Sequence, residues 1–360
     1  MSLNKYKISF CTVSMNRLHH VKSTLPINIK NNIDYKNLEF ILLDYNSSDG
    51  LEDWVYTNMK NEIESGLLVY FKTLDPIHFN RSHSRNMMFK LATGDIICNI
   101  DADNFTGKNF AHYINSIYSK KDNCIIVPDT KGKFYNLRDA VGRFCSKRED
   151  FISVTGYDEK MTSYGSEDID LYSRIKRLGR EEVIIEDINY LKSITHGDNE
   201  RTENEYITLN LKSIFINYID PNKSEVIFIY KDNNFEKGTL VPNKYNSFLP
   251  ASIEEEEWES GTWHINNNNL FLKLSTGEVE LYNSHDNFET LNITKGNVKN
   301  IFYRNDYKDF IFQALLIHPM ITNEAKFQKN KNNKKLVIND CGFGSGKVFK
   351  NFNYQDPIMI

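Results

Sequence analysis

Apolar positions in the first half of the chain fall alternately into short continuous runs and helical stripes. Residues 8–13 form the first run. Leu18, Val21, Leu25 and Ile29 follow at helical spacing, with Asn16 placed to cap that helix and Pro26 placed to kink it. Residues 40–43 form a second run ending at Asp44. After a Ser/Asn/Asp/Gly turn, Leu51, Trp54, Val55 and Met59 share one helical face. The pattern then predicts a strand over 67–71, a helix over 82–92 stopped by Gly94, and a strand over 95–100. Phe110, Tyr113, Ile114 and Ile117 mark another helix, and 124–127 another strand. Such alternation predicts an α/β unit, a mainly parallel sheet flanked by helices. Sheets of this kind bind ligands beyond the carboxyl ends of their strands, so the residues just after each run carry the most information.

The pattern changes near residue 220. From Ser224 onward the period becomes two: Leu270, Leu272 and Leu274 share a face, and Val279 and Leu281 continue the alternation after a Ser-Thr-Gly turn. Residues 336–338 and 348–349 read as further strands. The expected division is therefore an α/β domain over 1–220 and a smaller, mostly β accessory domain of unassigned role over 221–360. The acidic run 254–257 and the asparagines 266–269 read as loops. Trp258 and Trp263 read as core aromatics of the β domain, in preference to sugar-stacking residues. Gly342-Phe343-Gly344-Ser345-Gly346-Lys347 resembles a phosphate-binding loop. Cys341 stands where that motif needs glycine, and Val348 where it needs Ser or Thr, so the segment reads as a turn.

Composition narrows the classes. Lys plus Arg is 44 against 48 Asp plus Glu, a formal net charge of -4, which argues against nucleic acid as the main partner. No apolar run is long enough to span a bilayer and residues 1–7 lack a signal-peptide core, although peripheral membrane association stays compatible with the chain. The five cysteines (Cys11, Cys98, Cys124, Cys145 and Cys341) are scattered, an arrangement expected of reduced thiols in a cytoplasmic protein.

Two constellations carry chemistry. Arg85-Asn86 lies in the helix that stops at Gly94, a buried strand follows, and Asp101 and Asp103 emerge at its carboxyl end. Carboxylates so placed suit Mg²⁺ or Mn²⁺, which bind through one or two carboxylates plus substrate phosphates. Further on, Glu167 and Asp168 fall in the first turn of a helix whose buried face is Leu171, Tyr172, Ile175 and Leu178. Acidic residues there are favoured by the helix dipole alone. The same position also suits a base aimed at the open end of the sheet.

Asn16-Arg17, Leu43-Asp44-Tyr45-Asn46-Ser47-Ser48-Asp49-Gly50, Arg85-Asn86 through Asp101-Ala102-Asp103, Gly156-Tyr157-Asp158-Glu159 and Gly165-Ser166-Glu167-Asp168 occur in that order. The set resembles the family-2 glycosyltransferases of GT-A fold, particularly the galactosyl- and N-acetylgalactosaminyltransferase branch that includes chondroitin-polymerase-like domains. The resemblance spans roughly residues 5–200. It implies an inverting transfer from a nucleotide diphosphate donor, expected to be a UDP-sugar, to a glycan hydroxyl in surface polysaccharide synthesis. It also implies that Asp103 binds the divalent metal, that Asp101 faces metal or ribose, that Asp168 is the base and that Glu167 positions a sugar. Asp44 and Asn46 would lie by the nucleoside, and His196 would complete the metal site. Arg85 would meet the diphosphate or form a structural salt bridge. Tyr45 departs from the family pattern, where a second Asp is frequent. Two other functions fit less well. One is a non-catalytic carbohydrate-binding or scaffold protein. The other is a sugar nucleotidyltransferase, which would want glycines in residues 12–17, where there are none.

Overall fold

The computed structural model describes residues 5–129, 138–243, 249–254 and 257–360. The chain forms two compact units, one of Met1–Thr162, Glu167–Gly197 and Asn330–Ile360, the other of Ser163–Ser166 and Asp198–Lys329.

The first unit is built on strands β1 (Ile8–Ser14), β2 (Leu38–Tyr45), β3 (Leu68–Thr73), β4 (Ile96–Asn99), β5 (Cys124–Pro128), β6 (Cys145–Lys147) and β7 (Glu181–Ile185). Their order is β3-β2-β1-β4-β6-β5-β7. The first four are parallel and β7 is parallel to β5, while β6 runs antiparallel to both its neighbours. The sheet is therefore mixed. Helices α1 (Leu18–Asn32), α2 (Leu51–Asn58), α3 (Lys60–Glu64), α4 (Arg81–Leu91), α5 (Phe110–Lys120), α6 (Arg148–Ser153) and α7 (Glu167–Arg177) connect the strands. Successive strand residues point to opposite faces. Phe10, Phe40, Leu42 and Ile96 pack with Val21 of α1, Val55 of α2 and Ile114 of α5. Their neighbours Cys11, Ile41, Leu43 and Ile97 pack with Met87, Met88 and Phe89 of α4 and with Leu171 and Ile175 of α7. Burial on both faces is why these strands read as continuous apolar runs.

One local expectation changes. Asn16 does not cap α1: it sits at φ 55° and accepts from Ser48 N at 2.8 Å. Asp49, from the loop after β2, receives Leu18 N at 2.7 Å instead. The helix runs through Pro26 without a break.

The second unit opens with α8 (Asp198–Thr202) and α9 (Tyr206–Asn210). Strands β8 (Leu211–Asp220), β9 (Lys223–Tyr230), β10 (Asn234–Pro242), β11 (Ala251–Ile253), β12 (Glu259–Asn266), β13 (Asn269–Leu274), β14 (Val279–His285), β15 (Thr290–Lys295) and β16 (Val298–Arg304) follow, then α10 (Lys308–Asn332). Every pairing is antiparallel, and β9 pairs with both β8 and β10, so the sheet closes on itself as a barrel. Phe235, Trp263, Leu270, Leu272 and Leu291 fill its interior. Val226, Phe228 and Tyr230 face outward and pack with Ile311 and Leu315 of α10. Trp263 donates its ring N–H to Tyr230 O at 2.8 Å, as a core aromatic does. Asn267 and Asn268, with positive φ, make the β12–β13 turn. In the acidic run 254–257, residues 255 and 256 lie outside the described residues.

The units divide at 197/198 and 329/330, whereas the sequence pattern had suggested a single boundary at 220. Residues 211–220 show no clean alternation because β8 is packed on two sides, Ile214 outward and Phe215 inward. The C-terminal segment also belongs elsewhere. β17 (Lys347–Lys350) and β18 (Asn353–Met359) extend the first unit's sheet, with β17 antiparallel to β3. Residues 336–338 form no strand. Ile338 is buried without a ladder partner, its N–H taken by Thr155 Oγ1 at 3.0 Å. The glycine-rich segment is an ordered loop seated on α4. Gly344 N donates to Glu159 Oε1 at 2.6 Å, and Lys90 Nζ to Phe343 O at 2.7 Å. Gly344 has φ 54°, and a Cβ there would lie 2.6 Å from Asn86 C and Met87 N. Gly344→Ala should therefore cost about 1–3 kcal/mol in a denaturant titration. An unchanged midpoint would mean that this loop does not bear on α4.

A carboxylate–arginine cluster as candidate active site

The Arg-Asn and Gly-Tyr-Asp-Glu motifs turn out to be one structural device. Asn86 of α4 behaves like a strand partner for the turn at 156–159: its Nδ2 donates to Tyr157 O at 2.9 Å and its Oδ1 accepts from Tyr157 N at 2.7 Å. Gly156, at φ 66°, leaves no room for a Cβ against Asn86 Oδ1. This clamp fixes Arg85 and Tyr157 side by side, with the guanidinium 5.5 Å from the Tyr157 ring centre.

Arg85 gathers carboxylates from distant parts of the chain. Nη2 lies 2.9 Å from Asp101 Oδ1 beyond β4, and Nη1 lies 3.1 Å from Asp168 Oδ1 and 3.3 Å from Glu167 Oε1 at the start of α7. Its side chain is only 6% exposed, so these pairs are poorly screened. Asn99 Nδ2 donates to Asp101 Oδ1 at 2.9 Å and to Gly142 O at 3.0 Å. Tyr157 donates its hydroxyl to Asp168 Oδ1 at 3.0 Å. Gly142 lies between the two aspartates: a Cβ built on it would be 2.9 Å from Asp101 Oδ2 and 3.2 Å from Asp168 Oδ2.

The electrostatics separate the two aspartates. Burial raises both carboxyl groups. At Asp101 the Arg85 charge and the Asn99 and Arg85 hydrogen bonds win, and the group falls below its ordinary value. At Asp168 burial wins over Arg85, helped by the charges of Glu167 and Asp101, and the group is pushed up to about 7. Arg85 is itself held well above its usual value, because the charges of Asp168, Asp101 and Glu167 outweigh the effect of burial.

Asp103 turns away from this cluster toward His196, whose Nε2 lies 3.1 Å from Asp103 Oδ2. The backbone makes that meeting: Asn104 bridges to Ser193, and Ile194 N donates to Asp103 O at 2.8 Å. The His20 ring lies 5.4 Å from that of His196. A carboxylate oxygen and a neutral imidazole nitrogen are both ligands for Mn²⁺. Two ligands of one octahedral ion sit about 3 Å apart, which fits this separation. Asp101, Asp103 and His196 are not drawn into one tight set of three ligands, since Asp101 is engaged by Arg85 and Asn99.

Asp44 and Asn46 stand apart from the cluster. Asp44 is fully buried and accepts from Tyr70 OH at 2.7 Å and Ser47 N at 2.7 Å, with Lys72 Nζ 3.7 Å away. Asn46 Nδ2 donates to Pro76 O at 2.8 Å. Tyr45 OH contacts His83 Nδ1 at 2.7 Å. The sequence reading assigned no role to Asn99, Gly142 or Tyr157. Tyr157 lay within a recognised motif, whereas nothing in the sequence around Gly142 marks its closeness to two carboxylates. Gly142→Ala should press on both aspartates and lower any activity of the site by about 10-fold or more while the protein stays folded. Full activity in a folded Gly142→Ala protein would detach this glycine from the site.

Comparison with known proteins places these residues in a family context. Residues 9–149 match the family model described as "Glycosyl transferase family 2", and residues 132–197 match "N-terminal domain of galactosyltransferase". No curated protein matches by sequence. Solved structures with similarity include a mannosyltransferase from Pyrobaculum calidifontis in complex with GDP-Man and Mn²⁺, at 19% identity and TM-score 0.42 over 51% of this chain and 55% of that one. TarS from S. aureus in complex with UDP is similar at 12% identity and TM-score 0.42, over 57% and 71%. GalNAc-T7 with UDP, GalNAc and Mn²⁺ is similar at 13% identity and TM-score 0.43, over 86% and 80%. The chain thus spans 55% of the length of the mannosyltransferase.

Proposed function

We propose that the protein is a glycosyltransferase of the family-2-like, GT-A class that moves a sugar from a nucleoside diphosphate donor, a UDP-sugar, to a carbohydrate hydroxyl with inversion. Arg85 carries the reading. It ties the residue after β4 to the first turn of α7, so donor-side and acceptor-side carboxylates belong to one cluster.

Asp168 is the base in this proposal. Its ionised carboxylate takes the acceptor hydroxyl proton as that oxygen bonds to the anomeric carbon, and the bond from that carbon to the diphosphate oxygen breaks. A group near 7 is half ionised at neutral pH and accepts a proton readily. Tyr157 and Arg85 orient it, and Glu167 positions a sugar beside it. Because three carboxylates engage its guanidinium, Arg85 acts here as a positioning residue. Asp103 and His196 would hold the divalent metal, Mn²⁺ or Mg²⁺, with Asp101 facing the metal or ribose. When bound, such an ion supplies charge neutralisation for the departing diphosphate. Asp44 and Asn46 belong to this proposal by family resemblance alone, and the buried state of Asp44 favours a structural part for it.

A role in surface polysaccharide synthesis and a cytoplasmic site of action complete the proposal. Among the described residues no helix is long and apolar enough to cross a membrane. The deciding experiment is a Mn²⁺-supplemented assay of nucleotide-sugar hydrolysis and transfer. Activity should depend on the ion, and Asp103→Ala should remove both that dependence and the Mn²⁺-induced rise in Tm. Undiminished activity in Asp103→Ala would overturn the metal-site reading.

A further inference from the structure

The inward-facing positions of the barrel change character along its length. Deep in the lumen they are Ile229, Phe235, Trp263 and Leu270. Two or four residues along the same strand faces toward one end, they become Glu225 on β9, Lys237 on β10, Glu259 on β12, Glu280 on β14 and Lys295 on β15. A cavity of about 350 Å³ opens there, within the range of small-ligand pockets, with Ile227 and Phe302 among its apolar lining.

The charged groups form a built lattice. Lys237 Nζ, on a side chain 10% exposed, lies 2.6 Å from Glu280 Oε2 and 2.9 Å from Glu259 Oε2. Tyr282 donates its hydroxyl to Glu280 Oε2 at 2.8 Å, and Asn217 donates to Glu225 Oε2 at 2.9 Å. Buried ion pairs of this kind are often no more stabilising than apolar residues of equal volume. Barrel stability therefore does not by itself account for them.

The lining selects a ligand by elimination. A simple anion would face Glu225, Glu257 and Glu259, and a simple cation would face Lys223, Lys237 and Lys295. An apolar molecule would have to strip water from both sets. A neutral polyhydroxyl molecule fits all of them, because each hydroxyl both donates and accepts and its C–H faces can lie on Phe302 and Ile227. We propose that this end of the barrel is a saccharide-binding site. It relies on the transferase reading only for where the saccharide comes from, since an acceptor or product glycan has this chemistry. Binding itself requires nothing of Asp168 or Asp103.

The test uses the full chain with EDTA and no donor, and measures saturation-transfer NMR and titration calorimetry against galactose, N-acetylgalactosamine, N-acetylglucosamine and lactose at millimolar concentrations. At least one should bind. The double variant Lys295→Ala with Glu257→Ala removes rim groups that are 51% and 46% exposed, so the barrel should persist. It should weaken binding by about tenfold or more. Two results overturn the site: no binding by any of the four sugars, or binding indifferent to the rim variant. A protein that binds sugars here yet transfers none would instead sink the transferase details and leave the barrel site standing.

Discussion

Asp168→Asn should lower the transfer rate by about 10²–10⁴-fold, the usual worth of a positioned general base. Asparagine keeps the shape of the side chain and can still accept from Tyr157 OH, which lies 3.0 Å from Asp168 Oδ1, so donor binding should change little. Steady-state kinetics should then show the loss in kcat. The pH profile gives a second reading of the same group. Only the ionised carboxylate can take a proton, and burial pushes Asp168 up to about 7. The kcat/KM of the unaltered protein should therefore fall as pH drops below about 7, by about tenfold per pH unit, and the residual activity of Asp168→Asn should lack that limb. Stability has the opposite sign. The folded chain keeps this proton through a window where the unfolded chain has already released it, from the ordinary aspartate value of 3.8 up to about 7. The contribution of Asp168 to stability thus falls as pH rises through that window. Retention of full transfer by Asp168→Asn would remove it as base.

Arg85→Met should strongly destabilise the first unit. Methionine replaces much of the aliphatic volume but leaves Asp101, Glu167 and Asp168 without their shared cation, at a site where Glu167 is 4% exposed and Asp168 13%. Removing one partner of a buried pair typically costs about 3–5 kcal/mol, because the remaining charge stays desolvated. The low value of Asp101 rests largely on Arg85. That contribution to stability is present above pH 3.8 and disappears as pH falls through the depressed value. Arg85→Met should accordingly lose most stability near neutral pH and recover part of it in mild acid, where the orphaned carboxyls can protonate. Thermal denaturation at the two pH values checks this, and equal Tm values for the variant and the unaltered protein at neutral pH would contradict it.

Much of the first unit could be read from the sequence because its strands are buried on both faces and its helices on one. The runs at β1, β2 and β5 announce themselves, as do the stripes of α1 and α5. The placement of Asp101 just beyond β4 and of Asp168 in the first turn of α7 was legible for the same reason, since each lies beside a clear element boundary. What escaped was information carried only by tertiary neighbours. Asn16 satisfies the local rule for a cap, but Asp49, brought in from the loop after β2, does the capping. Residues 336–338 have strand composition, and no edge is offered to them. Arg85 could be either a phosphate contact or a structural pair until its guanidinium was found among three carboxylates. The role of Gly142 is purely steric and leaves no mark in composition or period.

The return of residues 330–360 to the first unit has a bearing on biosynthesis. A ribosome delivers residues 1–162 and 167–197 long before β17 can cover the edge of β3 and before the 342–346 loop can seat on α4. The nascent first unit must wait with an unpaired sheet margin while the whole of 198–329 emerges. Because that segment lies between the two parts of the first unit, the time its barrel takes to close adds to the exposed interval. Slowing the barrel's closure would thus be expected to harm the yield of its neighbour, even where no residue of that neighbour is altered.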